Sequence, residues 1–253
     1  MRLAIMQPYF FPYLGHFSLI AACDEWIVFD ICQYAKRSWM NRNRVLHPNG
    51  GWQWVTAPLS QAGLGMRTDA AMLLKPDETC RRVLGQLSHY RDAPYFEAVR
   101  EMVRSVFQDG GTSLVSLNVR GLEAVCRHIG LPFRYRVASA LELALPEAPG
   151  AGGWAPAICA ALGAAAYVNP IGGRGLFDLA DFERRGVELG FVSARAFEYP
   201  VGRFGFEPGL SILDVLMWNA PDVVLEAVRS FEVVPGGVVP GGVVPGGVVR
   251  VAA

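Results

Sequence analysis

The two prolines of Gln7-Pro8-Tyr9-Phe10-Phe11-Pro12 limit what the first 46 residues can become. They follow a short apolar run, Leu3-Ala4-Ile5-Met6. Beyond them come Phe17 to Cys23, apolar at most positions, and a second apolar run, Trp26 to Ile31. Proline has no N–H to offer a ladder or a helix interior, so no regular element crosses Pro8 to Pro12. Run lengths and breakers then predict strand, loop, helix, strand. Such a unit seeds a parallel α/β sheet, where ligands bind at the carboxyl ends of the strands. Gln7, Tyr9, Phe11, Tyr13 and His16 are thereby predicted at the mouth of a site.

The second strand empties into a polar, cationic segment carrying Asp30, Gln33, Lys36, Arg37, Trp39, Asn41, Arg42, Asn43 and Arg44. Its first residues leave the sheet at the same edge. Guanidinium forks match the geometry of carboxylate and phosphate groups. Taken alone, the run reads equally well as a solvated charged turn. The aromatics and the polar loop facing it favour a site.

Gln7-Pro8-Tyr9-Phe10-Phe11-Pro12-Tyr13-Leu14-Gly15, Gln33-Tyr34, Lys36, Trp39 and Asn41-Arg42-Asn43-Arg44 together resemble the WbqC-like family of bacterial proteins. The likeness continues at Trp52-Gln53-Trp54, His89-Tyr90, Ala93 to Phe96, Asn169 to Gly173, Leu176-Phe177-Asp178 and Leu210 to Asp214, so it runs to about residue 232. The resemblance implies an association with bacterial surface-polysaccharide clusters, including ones that decorate amino sugars with amino-acid groups. Two positions depart from the family pattern. Ile31 stands where the family often has a second acid after Asp30, which counts against adjacent-carboxylate chemistry. His16 stands where tyrosine is common, which counts against an indispensable histidine acid or base.

With 253 residues, 52% of them hydrophobic, the chain has ample material for a core. Its 23 basic and 23 acidic residues balance. Nothing global therefore draws it to nucleic acid or an acidic membrane, and any attraction for anions is local. No apolar stretch reaches the roughly 20 residues of a membrane span, and Gln7-Pro8 interrupts the N-terminus too early for a secretory core. The five cysteines show no C-x-x-C pair. They read as buried reduced thiols in a cytoplasmic protein, without zinc-ligand spacing.

Further along, GWQWVTAPL from Gly51 reads as a strand with Trp52 and Trp54 on one face, assigned to the core. Thr68 to Lys75 reads as a short strand. Helical spacing then predicts three helices between Pro76 and Ile129. Strands at Phe133–Ala138, Ala165–Asn169 and Glu188–Arg195 alternate with helices at Trp154–Leu162 and Leu179–Gly186. Asn169, Gly172 and Gly173 lie just past a strand, where glycine lets backbone N–H groups approach an anion. A simple tight turn explains them equally. They match neither a Walker loop nor a dinucleotide fingerprint. Ser211 reads as an N-cap with Asp214 as its capping-box acid, and Val223 to Phe231 as a last helix. From Val233 a strict VVPGG period predicts a flexible tail, neither helix nor central strand.

The fold expected is a parallel-sheet, Rossmann-like three-layer α/β domain of the nucleotidyltransferase-like type. It is built from residues 1–75 and 131–232, with a helical insertion at 76–130 and the tail at 233–253. No local context suggests a Ser–His–Asp triad, a metallohydrolase or a D-x-D glycosyltransferase, and no metal signature is present. Tyr13-Leu14-Gly15-His16 resembles the H-x-G-H element of nucleotidyltransferase-like enzymes without its first histidine. That resemblance implies ATP phosphates at a helix N-terminus, and the group includes ligases that pass an adenylated carboxylate to an amine.

The expected activity is amide formation on an amino sugar, free or nucleotide-linked, using ATP or another activated acyl donor. Aminoacyl-tRNA is the one nucleic acid considered. Gln7, Asp30, Lys36 and Arg42 are the catalytic candidates. Asp30 would position or deprotonate the amine, and Lys36, Arg37, Arg42 and Arg44 would neutralise phosphates or an oxyanion. Tyr9, Phe11, Tyr13, His16, Gln33, Trp39, Asn41, Asn43, Asn169, Gly172 and Gly173 would bind substrate. The alternative is a non-catalytic sugar-nucleotide-binding or assembly protein.

Overall fold

Each apolar run at the centre of the molecule sends alternate side chains to two buried layers, as a strand covered on both faces must. In the computed structural model, Leu3 and Ile5 of β1 (Arg2–Met6) face one layer with Ile27, Tyr167 and Phe191. Ala4 faces the other with Trp26, Val28, Val168 and Val192. The structure describes all residues except 62, 64, 109, 110, 148, 238–248 and 251–253, and only the backbone of 249 and 250.

Six strands form the central sheet: β1, β2 (Glu25–Val28), β5 (Tyr135–Val137), β6 (Ala166–Pro170), β7 (Glu188–Ala194) and β9 (Phe231–Pro235). Their order is β5-β2-β1-β6-β7-β9, parallel throughout except that β9 runs antiparallel to β7. The chain moves outward from β1 through β2 to β5, then returns to the other side of β1 for β6. The strand order therefore reverses between β1 and β6, the arrangement of a doubly wound Rossmann-like sheet. α1 (Leu14–Ala21), α4 (Leu114–Ile129), α7 (Ile212–Trp218) and α8 (Pro221–Arg229) cover one face, and α5 (Gly150–Ala161) and α6 (Leu179–Glu183) the other. α2 (Pro76–Gln86) and α3 (Phe96–Gln108) complete the larger layer. Val83, Val99 and Leu122 of the inserted helices share one buried cluster with Ala4 and Trp26, so the insertion has no separate core.

Several expectations shift. Asn41 to Arg44 is not a loop at the sheet edge: Arg42–Leu46 is β3, paired antiparallel with β4 (Trp52–Thr56) in a hairpin outside the main sheet. Thr68 to Lys75 holds a short 3-10 turn, Thr68–Ala70, and isolated bridges at Met72 and Leu73. The last helix ends at Arg229, and Phe231 opens β9. The first three residues of the repeat, Val233 to Pro235, extend that strand, since an edge strand tolerates proline. The tail's 238–248 and 251–253 lie outside the described residues, and Val249–Arg250 (β10) runs parallel to β8 (Phe197–Glu198). Among the described residues no helix is long and apolar enough to cross a membrane.

Candidate functional site

Gln7 leaves β1 and Pro170 ends β6 at the same edge, beside the point where the strand order reverses. Around Gln7 the structure gathers one predicted pair and one residue that sequence reasoning passed over. The Gln7 Nε2 donates to Cys32 Sγ at 3.3 Å, and the Tyr9 hydroxyl donates to Gln7 Oε1 at 3.4 Å. Cys32 Sγ also lies 3.4 Å from Thr68 Oγ1 and donates to the Phe29 carbonyl at 3.3 Å. Cys32 was legible only as one polar-capable residue in the segment after β2; its partners are 25 and 36 positions away. Burial pushes the Tyr9 and Tyr13 phenols up, and for Tyr9 the neighbouring Tyr13 adds to it. Gln33 is exposed and forms an antiparallel bridge with Arg67.

Other predicted ligands are used up by the fold. Phe11 is 2% exposed, with φ of 39°, and its ring packs edge-on against Phe10. Asn43 donates to the carbonyls of Phe10 (3.1 Å) and Phe11 (2.8 Å), and its Oδ1 accepts the Arg44 N–H. Asn41 accepts from the Tyr34 hydroxyl and donates to the Ala57 carbonyl. These buried amides satisfy backbone that crosses between segments. They hold the Pro8–Pro12 loop to the hairpin, with Asn118 donating to the Pro8 and Met40 carbonyls at 2.7 Å each. The two segments do converge, but through amides and backbone.

The guanidiniums are elsewhere. Alternation along β3 turns Arg42 and Arg44 to the face opposite Asn43. There Arg42 stacks 3.8 Å over Trp54, and Arg44 lies 5.5 Å from the Trp39 ring and 5.1 Å from Trp52. Arg44 also donates to the Gly209 carbonyl at 3.1 Å. Trp52 and Trp54 share one face as expected, yet they are not core: guanidiniums cover them by cation–π contact, and Trp52 stays 41% exposed. Lys36 and Arg37 are exposed on the preceding turn. The single hollow lined by Gln7, Tyr13 and Arg42 is thus replaced by a Gln7–Cys32 cluster and a separate Trp–Arg ladder.

His16 does not reach a ligand either. It is 1% exposed, its ring 4.8 Å from Trp26 and 5.4 Å from Tyr9, and burial lowers its pKa to about 3. The Tyr13 ring folds over the first turn of α1, where a Cβ on Gly15 would come within 2.6 Å of it. A nucleotide phosphate at this helix end would meet a phenol ring and a neutral, inward-facing imidazole. The residues present do not fit the phosphate-binding role that the H-x-G-H likeness implies.

Asp30 lies just past the end of β2, beside a second feature of this edge. Its two oxygens accept from the Ser139 N–H (2.9 Å) and hydroxyl (2.5 Å), just past β5. A cavity of about 440 Å³ opens there between β2, β5 and α4. Capsuled by Asp69, Arg120, Glu123 and Tyr135, it contains none of the other predicted site residues.

At the end of β6, Asn169 Oδ1 accepts from the buried Tyr167 hydroxyl at 2.9 Å, and its amide lies over Gly173. A Cβ on Gly173 would sit 2.1 Å from that amide nitrogen. Arg174 turns away to the Gly236 carbonyl. Gly173→Ala is expected to dislodge the Asn169 amide and cost about 1–2 kcal/mol, measured by chemical denaturation; a cost near zero would show that Asn169 is free to move.

A sequence model described as the WbqC-like protein family matches residues 7–226. A Mycobacterium tuberculosis (strain ATCC 25618 / H37Rv) protein called "Uncharacterized protein Rv1507c" is 29% identical over 227 residues, 87% of this chain and 96% of that protein. No solved structure matches. With the profile covering most of the chain, from the Gln7 loop into α8, the protein belongs to the WbqC-like protein family.

Proposed function

We propose that this WbqC-like protein forms an amide on an amino sugar, free or nucleotide-linked, as an acyl or aminoacyl transferase or ligase. The observation that carries the reading is the reversal of strand order between β1 and β6. A crevice at such a point is where open α/β sheets take their ligands. Gln7, Tyr9 and Asn169 border it, and Asp30 lies one strand away on the same edge. In the reaction the amine nitrogen attacks the acyl carbon of an activated donor. A C–N bond forms, the bond from acyl carbon to the leaving oxygen or sulfur breaks, and the amine proton passes to a base. Asp30 is the carboxylate nearest that task, with Gln7 and Tyr9 orienting the sugar. The donor stays general (ATP-derived acyl-adenylate, acyl-thioester or aminoacyl-tRNA), since the first turn of α1 does not suit phosphates.

A specific observation favours a second reading, a non-catalytic sugar-nucleotide-binding or assembly protein. His16 is sealed in the core and both Asp30 oxygens are already engaged by Ser139. Purified protein incubated with nucleotide-linked amino sugars and each donor class, followed by mass spectrometry, separates the two. An acylated sugar with one donor is expected. Tight binding of the sugar nucleotide without turnover would establish the second reading.

A further inference from the structure

We propose that the cavity between β2, β5 and α4 is a subsite for a primary ammonium group carried on a hydroxylated ring, an amino sugar. This rests on the amide-forming reading and names where its acceptor amine is held. The cavity's volume of about 440 Å³ falls within the range of small-molecule sites. It opens at the carboxyl edge of the sheet, next to the exit of β2.

Its lining is chemically lopsided. Asp30, Asp69 and Glu123 face one guanidinium, that of Arg120. Asp69 is paired with Arg67 outside the lining, at 2.5 Å. Arg120 spends its Nε on the Val106 carbonyl at 3.0 Å. Asp30 is the telling group. It is 1% exposed, and although Arg67 feels its charge, that guanidinium is bound to Asp69, so Asp30 enters no ion pair of its own among the described residues. Buried charges are normally paired, because water no longer stabilises them. Ser139 neutralises none of that charge, and each carboxylate oxygen keeps a second lone pair for another donor. A cation seated in the cavity would complete the arrangement. Among the described residues no group of three His, Cys, Asp or Glu side chains is placed to hold a metal ion. Ser116 adds a hydroxyl to the walls, and the Tyr135 hydroxyl, which donates to Glu123 Oε1 at 3.1 Å, keeps its lone pairs for a further donor, suited to a polyol rather than to an aliphatic amine.

The test uses the full chain with D-glucosamine, N-acetyl-D-glucosamine, D-glucose and glycine, read by saturation-transfer NMR and calorimetry. Glucosamine alone is expected to bind, with the N-acetylated and neutral sugars at least tenfold weaker. Asp30→Asn and, because Asp30 is buried, the half-exposed Glu123→Gln should each weaken glucosamine at least several-fold while the circular dichroism spectrum is unchanged. Equal binding of all the sugars, binding of glycine in preference to glucosamine, no glucosamine binding at tens of millimolar, or wild-type affinity in folded Glu123→Gln would each overturn the subsite. No acyl donor is present, so the outcome is separable from that of the proposed reaction. Glucosamine binding without amide formation would keep the subsite and remove the reaction. Amide formation with an unchanged KM in Glu123→Gln would do the reverse.

Discussion

Replacing Asp214 by alanine is expected to cost about 3 kcal/mol of stability at neutral pH, because two buried hydroxyls lose their acceptor at once. The Tyr90 hydroxyl donates to one Asp214 oxygen at 2.5 Å and the Tyr199 hydroxyl to the other at 2.6 Å. Tyr90 in turn accepts the Leu46 N–H at 2.8 Å. One carboxylate thereby joins the hairpin, the turn between α2 and α3, the segment after β8 and α7. Its burial leaves no water to replace it, for Asp214 is 1% exposed and Tyr90 fully buried. Tyr199→Phe, which deletes one donor and leaves no orphan hydroxyl, should cost roughly a third as much. Urea denaturation of the three chains checks the ranking. A loss below about 1 kcal/mol for Asp214→Ala, the centre of the range for point mutants, would show that the network is not a clamp.

Between pH 4 and 6 His16 and Asp214 should tilt stability in opposite directions, so replacing each should shift the slope of the natural chain in the opposite sense. Burial lowers the His16 pKa to about 3, against about 6.5 in an unfolded chain. The unfolded state therefore binds more protons than the native state across that window, and stability falls as pH drops. Asp214 has the opposite sense. Burial raises its pKa to about 6, although the Tyr199 and Tyr90 hydroxyls pull it down. An unfolded aspartate titrates near 3.9. Here the native state holds the extra proton, so stability falls as pH rises from about 4 to 6. Where the windows overlap the slopes oppose, each of about 1.4 kcal/mol per pH unit at full effect. Asp214→Asn should expose the His16 slope, with stability dropping on acidification. His16→Gln should shift the slope the other way relative to the natural chain. Denaturation midpoints at half-unit steps of pH read both; parallel profiles for the two variants would refute the assignment.

What the sequence made legible was local. Two apolar runs separated by prolines announced β1, α1 and β2 because hydrophobic run length and proline chemistry act within a few residues. The glycines at 172 and 173 were placed correctly past a strand for the same reason. What stayed hidden depended on partners far away in the chain. Arg42-Asn43-Arg44 reads as a polar turn until β4 pairs with it, Trp54 opposite Arg44, and the two guanidiniums lie over the Trp54 and Trp52 rings. Asp214 reads as a capping acid because Ser211 lies three residues before it. Ser211 does cap, accepting the Leu213 N–H at 3.2 Å, but the carboxylate answers to Tyr90, 124 positions away. The candidate site was affected in the same way. The two segments were expected to meet in a hollow with Arg42 and Arg44 facing Gln7 and Tyr13, not through buried amides on backbone, and the Ser139 contact that fixes Asp30 spans 109 positions and carries no local signal.

The repetitive C-terminal segment has a registration problem that β9 solves with two residues. Three VVPGG units follow one another from Val233, so any of them could lie against β7 in place of the first. Interchangeability of three equivalents is worth at most RT ln 3, about 0.65 kcal/mol, and would blur the strand's alignment. Phe231 and Glu232 precede the repeat and break its translational symmetry. A slip of one unit would put Gly236 and Gly237 where Phe231 packs on the core and Glu232 faces Arg195 at 3.6 Å. Burial of the Phe231 ring against the core outweighs that mixing entropy, so a single alignment of β9 persists.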